Sequence, residues 1–521
     1  MARSRGPVRR FLKWTAAVVA VLLAAGLGVS TWVYFAAYQT NAGDLAFENR
    51  VRIPPLLEPE VDGDGRKRFD LTLQQGRSEF LPGRQTDTWG VNGAYLGPTI
   101  RVSRGDKVAM DVRNELPDTT TVHWHGMRLP AKMDGGPHQT IGAGKTWSPY
   151  WTVDQPAASL WYHPHLHGET AKHVYRGVTG MLIVDDDTVP KDLPSEYGVD
   201  DIPLVVQDKK FTEDGRLDLD APGPLGLQST YGLLGDQILV NGTRDPYLEV
   251  GAERVRFRLL NGSNARSFNF GFADDRSFSL IGTDSGLLPK PVRMNRVRLS
   301  AGERAEIVAD LTPGEEVVLR SFAPKEGGGF PQDRLAGADD EFDLVEIRAK
   351  DRLTEAKPLP ERLADTPEIT PGKDAVERDF ELSGTSKING DTMDMRRIDE
   401  VVPAGATEIW TVRNPGNPHS FHIHEVAFRV LDINGEPPPP AMRGRKDTVY
   451  LPPSATARLA VQFGPHTDPD TPYMFHCHML EHEDQGMMGQ FTIVEPGTED
   501  QAPRRLPGGN GGGGGGDHDH H

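Results

Sequence analysis

Cysteine is nearly missing: one residue, Cys477, in a chain of 521. No disulfide can form within the chain, so cysteine pairing does not report the compartment. Basic charge is in deficit, with 57 Lys and Arg against 75 Asp and Glu and a formal net charge of -18. A nucleic-acid partner, which needs a basic face, is excluded. The acid surplus suits a soluble surface. Long apolar runs are absent, with one exception. Residues 14–38, WTAAVVAVLLAAGLGVSTWVYFAAY, carry no charge and follow a segment, 1–13, with four Arg and one Lys.

At about 1.5 Å rise per residue, that run is long enough to cross a bilayer. The basic flank stays on the cytoplasmic side, which places the body on the extracytoplasmic side of the cell membrane, held by a single pass. Its length, and the Trp and Tyr near both ends, favour a retained signal anchor over a signal peptide cleaved on export. Arg9-Arg10 before Phe-Leu-Lys resembles a twin-arginine export signal without its usual intervening residue.

What is plentiful is Gly, 57 residues, and Pro, 42, as in a turn-rich β chain. The length suggests three domains of roughly 150 residues. A weak internal repeat agrees. Segments Val91–His125, Val240–Phe270 and Ile388–His424 each begin with an apolar residue and Asn-Gly, then pass a Gly turn. Alternating apolar residues follow, such as Val108, Met110 and Val112, which read as half-buried strands. Each segment reaches an x-y-x element: HWH, FNF or HIH.

Three copies of one β-sandwich are expected, at 55–190, 195–350 and 375–496, with histidines in the first and third. Residues 39–54 read as a spacer, 351–374 as a linker rich in Pro and charge, and 497–521 as a disordered tail. His518, His520 and His521 end that tail, either as a solvated extension or as a loose metal trap.

Most of the 17 histidines fall in four clusters: HWH (123–125), HPHLH (163–167), HSFHIH (419–424) and HCHMLEH (476–482). On a strand, residues i and i+2 share a face, so each H-x-H presents two imidazoles together. One such pair is commonplace on a surface. Four clusters in one chain point to several metal ions, more than an isolated zinc site needs. On the last strand Cys477 faces one way and His476 and His478 the other. Cys477, His419 and His482 can converge as a thiolate and two imidazoles, with Met487 as a weak axial ligand: a blue-copper electron-transfer set. An electron arriving there can pass through Cys477 to whatever His476 and His478 hold.

HWHG, HPHLHG, HSFHIH and HCHMLEHEDQGMM resemble the four signature motifs of the multicopper oxidases, above all their three-domain bacterial branch. The likeness spans roughly residues 50–496. It implies an all-β fold of three cupredoxin-like Greek-key sandwiches after one N-terminal transmembrane helix, and four copper ions. Type 1 copper would sit on His419, Cys477, His482 and Met487. Type 2 would sit on His123 and His422. One type 3 ion would take His125, His163 and His478, and the other His165, His424 and His476. The trinuclear cluster would lie between the first and third domains, the middle domain acting as a spacer.

The resemblance also implies that Asp134 and Glu483 deliver protons to O2; the alternative is that each supports a ligand histidine. The reductant is a phenol, as for a laccase, or Cu(I). Met393, Asp394 and Met395 form the one compact cluster able to hold Cu(I), or else they pack a domain edge. Two departures from the family pattern are Ser420, often Pro, and Glu425, often Gly. His167 is expected behind the ligands, and His138, His173 and His466 as ordinary side chains. A monomer can complete every site. The rival reading is a non-catalytic cell-envelope scaffold or copper-binding protein of the same fold.

Overall fold

A computed structural model describes residues 6–220, 226–325 and 327–507. Helix α1 (Gly6–Ala36) comes first, and its stretch Phe11–Ala36 is long and apolar enough to cross a membrane, with mean hydropathy 2.1. From Phe11 to Trp32 its side chains stand exposed, Leu23 and Leu27 among them.

Everything after α1 is built mainly from strands, which form six sheets and pack into three cupredoxin-like Greek-key sandwiches. The first encloses Phe69, Trp89, Trp124 and Leu182. The second encloses Phe257, Phe268, Phe270 and Ile307. The third encloses Trp410, Phe421, Phe475 and Phe491. Phe268 and Phe270, which stand where the other copies carry histidine, are fully buried core residues.

The internal repeat is visible in the backbone. Asn92, Asn241 and Asn389 all have φ between 50° and 53°, a left-handed turn that Asn tolerates better than most residues. Each clamps the neighbouring strand the same way, accepting from one backbone N–H and donating to one carbonyl: Thr72 and Asp70, Val205 and Pro203, Glu381 and Asp379. A second set repeats too. Asn114, Asn261 and Asn414 each accept from the N–H two residues on and donate across a loop.

Two segments differ from expectation. The tail is not loose from residue 497: a 3-10 turn, Glu499–Gln501, is followed by Leu506 N donating to Arg396 O at 2.7 Å. Leu506 and Ala502 pack on Ile398, Val401 and Val494, and this apolar contact holds the tail down as far as the described residues run. His518, His520 and His521 lie outside them. Residues 39–54 are no free spacer either, since Asn49–Arg50 pairs in parallel with the strand Pro246–Ala252 of the second sandwich.

Four short helices matter for the site. They are α2 (Thr170–Arg176), α3 (Gln228–Tyr231), α4 (Gln332–Leu335) and α5 (Leu480–Asp484).

Candidate metal centre

Four strands, paired two by two, bring most of the histidines together. His123–His125 pairs with Ala158–His163, setting His163 opposite His123. In the third sandwich His419–Ile423 pairs with Asp468–Cys477, setting His422 opposite His476 and Phe421 opposite Cys477. Alternation then sends Cys477 and its two flanking histidines to opposite sides.

On the Cys477 side, Sγ lies 3.4 Å from His419 Nδ1 and 3.6 Å from His482 Nδ1, and the two nitrogens are 3.2 Å apart. Three soft donors converge on one point. All are fully buried, as is Met487, whose carbonyl accepts from Cys477 N at 3.1 Å. Burial pushes the Cys477 thiol up to about 12 and holds His482 down at about 4. The imidazoles are neutral and, among the described residues, no cation faces the sulfur, so the thiol ionises only when a metal displaces its proton. His482 is aimed by its far nitrogen, Nε2, which donates to Thr230 O on α3 at 3.1 Å.

On the other side eight histidines form one buried pocket. His165, His424 and His476 present Nε2 atoms to one another at 3.1, 3.1 and 3.3 Å. His125 Nδ1 lies 3.3 Å from His163 Nε2, and the His478 ring centroid is 5.0 and 5.3 Å from theirs. His123 and His422 leave Nε2 without a protein partner, and His478 leaves both nitrogens so. Orphaned, buried imidazole nitrogens that face one another are costly unless a cation holds them, so the donor set fits metal ions. Burial, then mutual repulsion, depresses His163, His422 and His424 well below the usual range, leaving them neutral and ready to ligate.

The ring orientations are set from behind. His123 Nδ1 donates to Asp134 O at 3.0 Å, His163 Nδ1 to Pro164 O at 2.8 Å and His422 Nδ1 to Asp447 O at 2.8 Å. Each bond turns Nε2 into the pocket. His125 is reversed: Nε2 faces Asp447 Oδ1 at 3.1 Å and Nδ1 faces inward. His424 Nδ1 donates to Asp134 Oδ2 at 2.8 Å. Glu483 lies between two rings, its oxygens 3.2 Å from His165 Nδ1 and 3.2 Å from His476 Nδ1. Burial works to raise the Glu483 carboxyl, but His165 and His476 hold it well below the carboxylate range. One step along α5 turns about 100°, so His482 serves one pocket and Glu483 the other.

Sequence reasoning missed a group of residues. Asp447 backs both His125 and His422, yet nothing around Lys446-Asp447-Thr448 marks it as special. Arg304 of the second sandwich holds it, Nη1 to Oδ1 at 2.7 Å and Nη2 to Oδ2 at 2.6 Å. Gly302 lies flat under His478, where a Cβ would come within 2.9 Å of the ring, and its φ is +85°. Trp161 stacks on His163 at 4.1 Å between centroids. The middle sandwich, expected to be a spacer, therefore forms part of the pocket wall.

The other described histidines lie outside both pockets. His167 is exposed, His138 meets Gln490 Oε1 at 2.8 Å and His173 meets Thr120 Oγ1 at 3.0 Å. Glu425 sits at φ 69°, which explains the usual glycine, and accepts from Gly464 N at 3.0 Å. Asp394 is occupied by Arg505 at 3.1 Å, and Met393 N donates to Gly486 O beside Met487.

Residues 72–189 and 360–497 match family profiles described as multicopper oxidase. The "Multicopper oxidase mco" of Staphylococcus aureus is 36% identical over 457 residues, 86% of this chain and 93% of that one. This chain belongs to the multicopper oxidase family. It is also similar to the "Cell division protein FtsP" of Salmonella typhimurium, 38% identical over 459 residues, 86% of this chain and 93% of that one. Among solved structures, the laccase of Pediococcus acidilactici superposes with a TM-score of 0.78 at 34% identity, covering 88% of this chain and 96% of that one. Family membership implies copper binding.

Proposed function

We propose that this family member is a working oxidase, coupling one-electron oxidation of a reductant near His419 and Cys477 to reduction of O2 to water at the histidine pocket. One observation carries the reading: Cys477 belongs to the first pocket while its chain neighbours His476 and His478 belong to the second. His419, Cys477, His482 and Met487 would hold type 1 copper, His123 and His422 type 2, and the two remaining histidine trios the type 3 pair. Bound there, four copper ions supply single-electron exchange at the first pocket and multi-electron oxygen reduction at the second.

The chain's own groups do the rest. The backbone from Cys477 to His476 and His478 is the electron path. Asp134 accepts from His424 Nδ1 and Glu483 lies 3.2 Å from His165 Nδ1 and from His476 Nδ1, and carboxylates so placed can also pass protons inward. Burial excludes bulk water from both pockets.

A phenolic reductant fits better than Cu(I). Among the described residues, the cleft beside His419 is lined by Tyr231, Ala265, Pro418, Tyr450 and Met479 and by no carboxylate. Met393, Asp394 and Met395 keep the Cu(I) alternative, although Asp394 is already paired with Arg505. Oxygen uptake by the copper-loaded full chain, with a substituted phenol and with Cu(I), decides between them. Faster uptake with phenol supports the laccase-like reading, and faster uptake with Cu(I), corrected for autoxidation, reverses it. The body would stand on the extracytoplasmic side of the cell membrane as a monomer, since one chain supplies every ligand.

The relatives named cell division protein FtsP favour a second reading, a scaffold in the cell envelope. Cys477→Ser separates the two. A scaffold keeps its cellular role in that variant, and an oxidase loses it.

A further inference from the structure

The chain leaves α1 without a flexible stretch. Gln39 N donates to Asp340 Oδ1 at 2.9 Å, Gly43 N to Asp343 Oδ2 at 2.7 Å and Phe47 N to Asp245 Oδ1 at 2.7 Å. Val33, on the last turn of the helix, and Ala37, just beyond its end, are buried. Tyr34 packs on Phe330 with ring centroids 5.1 Å apart, and the Arg334 guanidinium sits over Tyr38 at 4.5 Å. These contacts fix the foot of α1 to the second sandwich. A helix that crosses the bilayer then also fixes which face of the body meets the lipid.

That face is the one beside His419. A cavity of 260 Å³ at the helix foot is lined by Trp32, Ala37, Arg266 and Leu335. A smaller cleft, 10 Å³, reaches His419 past Tyr231, Ala265, Ala336 and Met479. Two separate stretches of chain wall both clefts: Arg266 and Leu335 line the first, and their neighbours Ala265 and Ala336 line the second. Consecutive Cα atoms lie about 3.8 Å apart, so the clefts stand back to back. Helix α4 ties the wall to the loop before His419, with Gln332 Nε2 3.4 Å from Asn417 Oδ1. Beside the foot, Phe330 is 82% exposed, an aromatic side chain suited to the lipid headgroup level.

We propose that the His419 edge is held at the membrane surface and takes its electrons from a hydroquinone dissolved in the bilayer. This rests on the oxidase and anchor readings above. The cleft holds no charged side chain among its described lining residues, so it suits a neutral aromatic reductant. With room for about one water, it admits no ring, and the electron crosses from a donor lying against the outer wall. Each hydroquinone breaks two O–H bonds and gives up two electrons and two protons to become the quinone. Two hydroquinones supply the four electrons and four protons that convert O2 to two waters.

The test uses the copper-loaded full chain in phosphatidylcholine vesicles, with a long-chain hydroquinone in the bilayer and a short water-soluble one outside. One variant carries a Gly-Ser insertion of about 20 residues between Tyr38 and Gln39, a reach of roughly 25 Å, together with Tyr34→Ala and Tyr38→Ala, which remove the ring contacts to Phe330 and Arg334 that would otherwise hold the foot in place. The other is Phe330→Asp, at an exposed position. Oxygen uptake with the bilayer hydroquinone is expected to fall at least ~10-fold with the insertion, through lost effective concentration, and to fall in Phe330→Asp as well. Uptake with the soluble hydroquinone stays unchanged in both. Bilayer oxidation that survives the insertion at full rate overturns the proposal, as does oxidation of the soluble hydroquinone alone. If the loaded chain oxidises neither hydroquinone, this proposal fails; oxygen uptake with Cu(I), corrected for autoxidation, then tells whether the oxidase reading fails with it.

Discussion

Arg304 and Asp447 form a two-point ion pair, fully buried where the second sandwich meets the third, with contacts of 2.7 and 2.6 Å. The pair leaves Asp447 Oδ1 facing His125 Nε2 at 3.1 Å, and so fixes a histidine that turns Nδ1 into the pocket. A domain that contributes none of the clustered histidines thereby orients one of them.

Asp447→Asn tests that relationship. The amide weakens the bond to Arg304 and removes the charge behind His125. Copper content is expected to fall and oxygen turnover to drop about 10- to 100-fold, the usual cost of losing support behind a ligand. The blue absorption of the Cys477 site should persist. Unchanged turnover at full copper loading would show that His125 needs no such support.

Asp134→Asn and Glu483→Gln keep size and remove the proton-carrying group. Oxygen reduction is expected to fall at least ~10-fold in each, while anaerobic reduction of the Cys477 site by substrate continues at its normal rate. Equal rates for oxygen reduction in variant and parent would limit both acids to holding histidines.

Lys209 offers a stability test away from the metal pockets. Its ammonium is fully buried 4.0 Å from the Tyr175 ring and has no hydrogen-bond partner. Burial lowers it from 10.5 to about 7. Between those values the unfolded chain binds the extra proton, so stability from this group rises as pH climbs from 7 toward 10. Lys209→Met is expected to stabilise the protein at pH 7 by about 1–3 kcal/mol and to remove that rise. Denaturant unfolding at pH 7 and pH 9 measures both effects. A less stable variant would mean that the cation over Tyr175 contributes more than its burial costs.

The gathering of the histidines was legible because their spacing is local: H-x-H on a strand puts two rings on one face whatever surrounds it. The triple repeat was legible for the same reason, since Asn-Gly marks a left-handed turn at 92, 241 and 389 alike. What supports the ligands was not. Arg304 and Asp447 are 143 residues apart in sequence and meet only once two sandwiches have packed. The docking of Leu506 on Ile398 was hidden by the glycine run that follows it. The tie between Gln39 and Asp340 was hidden by the plain composition of the segment after α1. Glu425 shows the opposite case, an exception to a family pattern that its backbone angle explains at once.

The most direct test of an operating oxidase is a single turnover. The copper-loaded full chain is reduced completely without air and then mixed with one equivalent of O2, while peroxide and the blue absorption are followed. The account predicts that one O2 reoxidises the whole protein with no peroxide released, and that Cys477→Ser lacks the blue band and cannot re-reduce its histidine pocket from substrate. A fully loaded parent chain that stays reduced under O2, or that releases peroxide in step with O2 consumed, would contradict it.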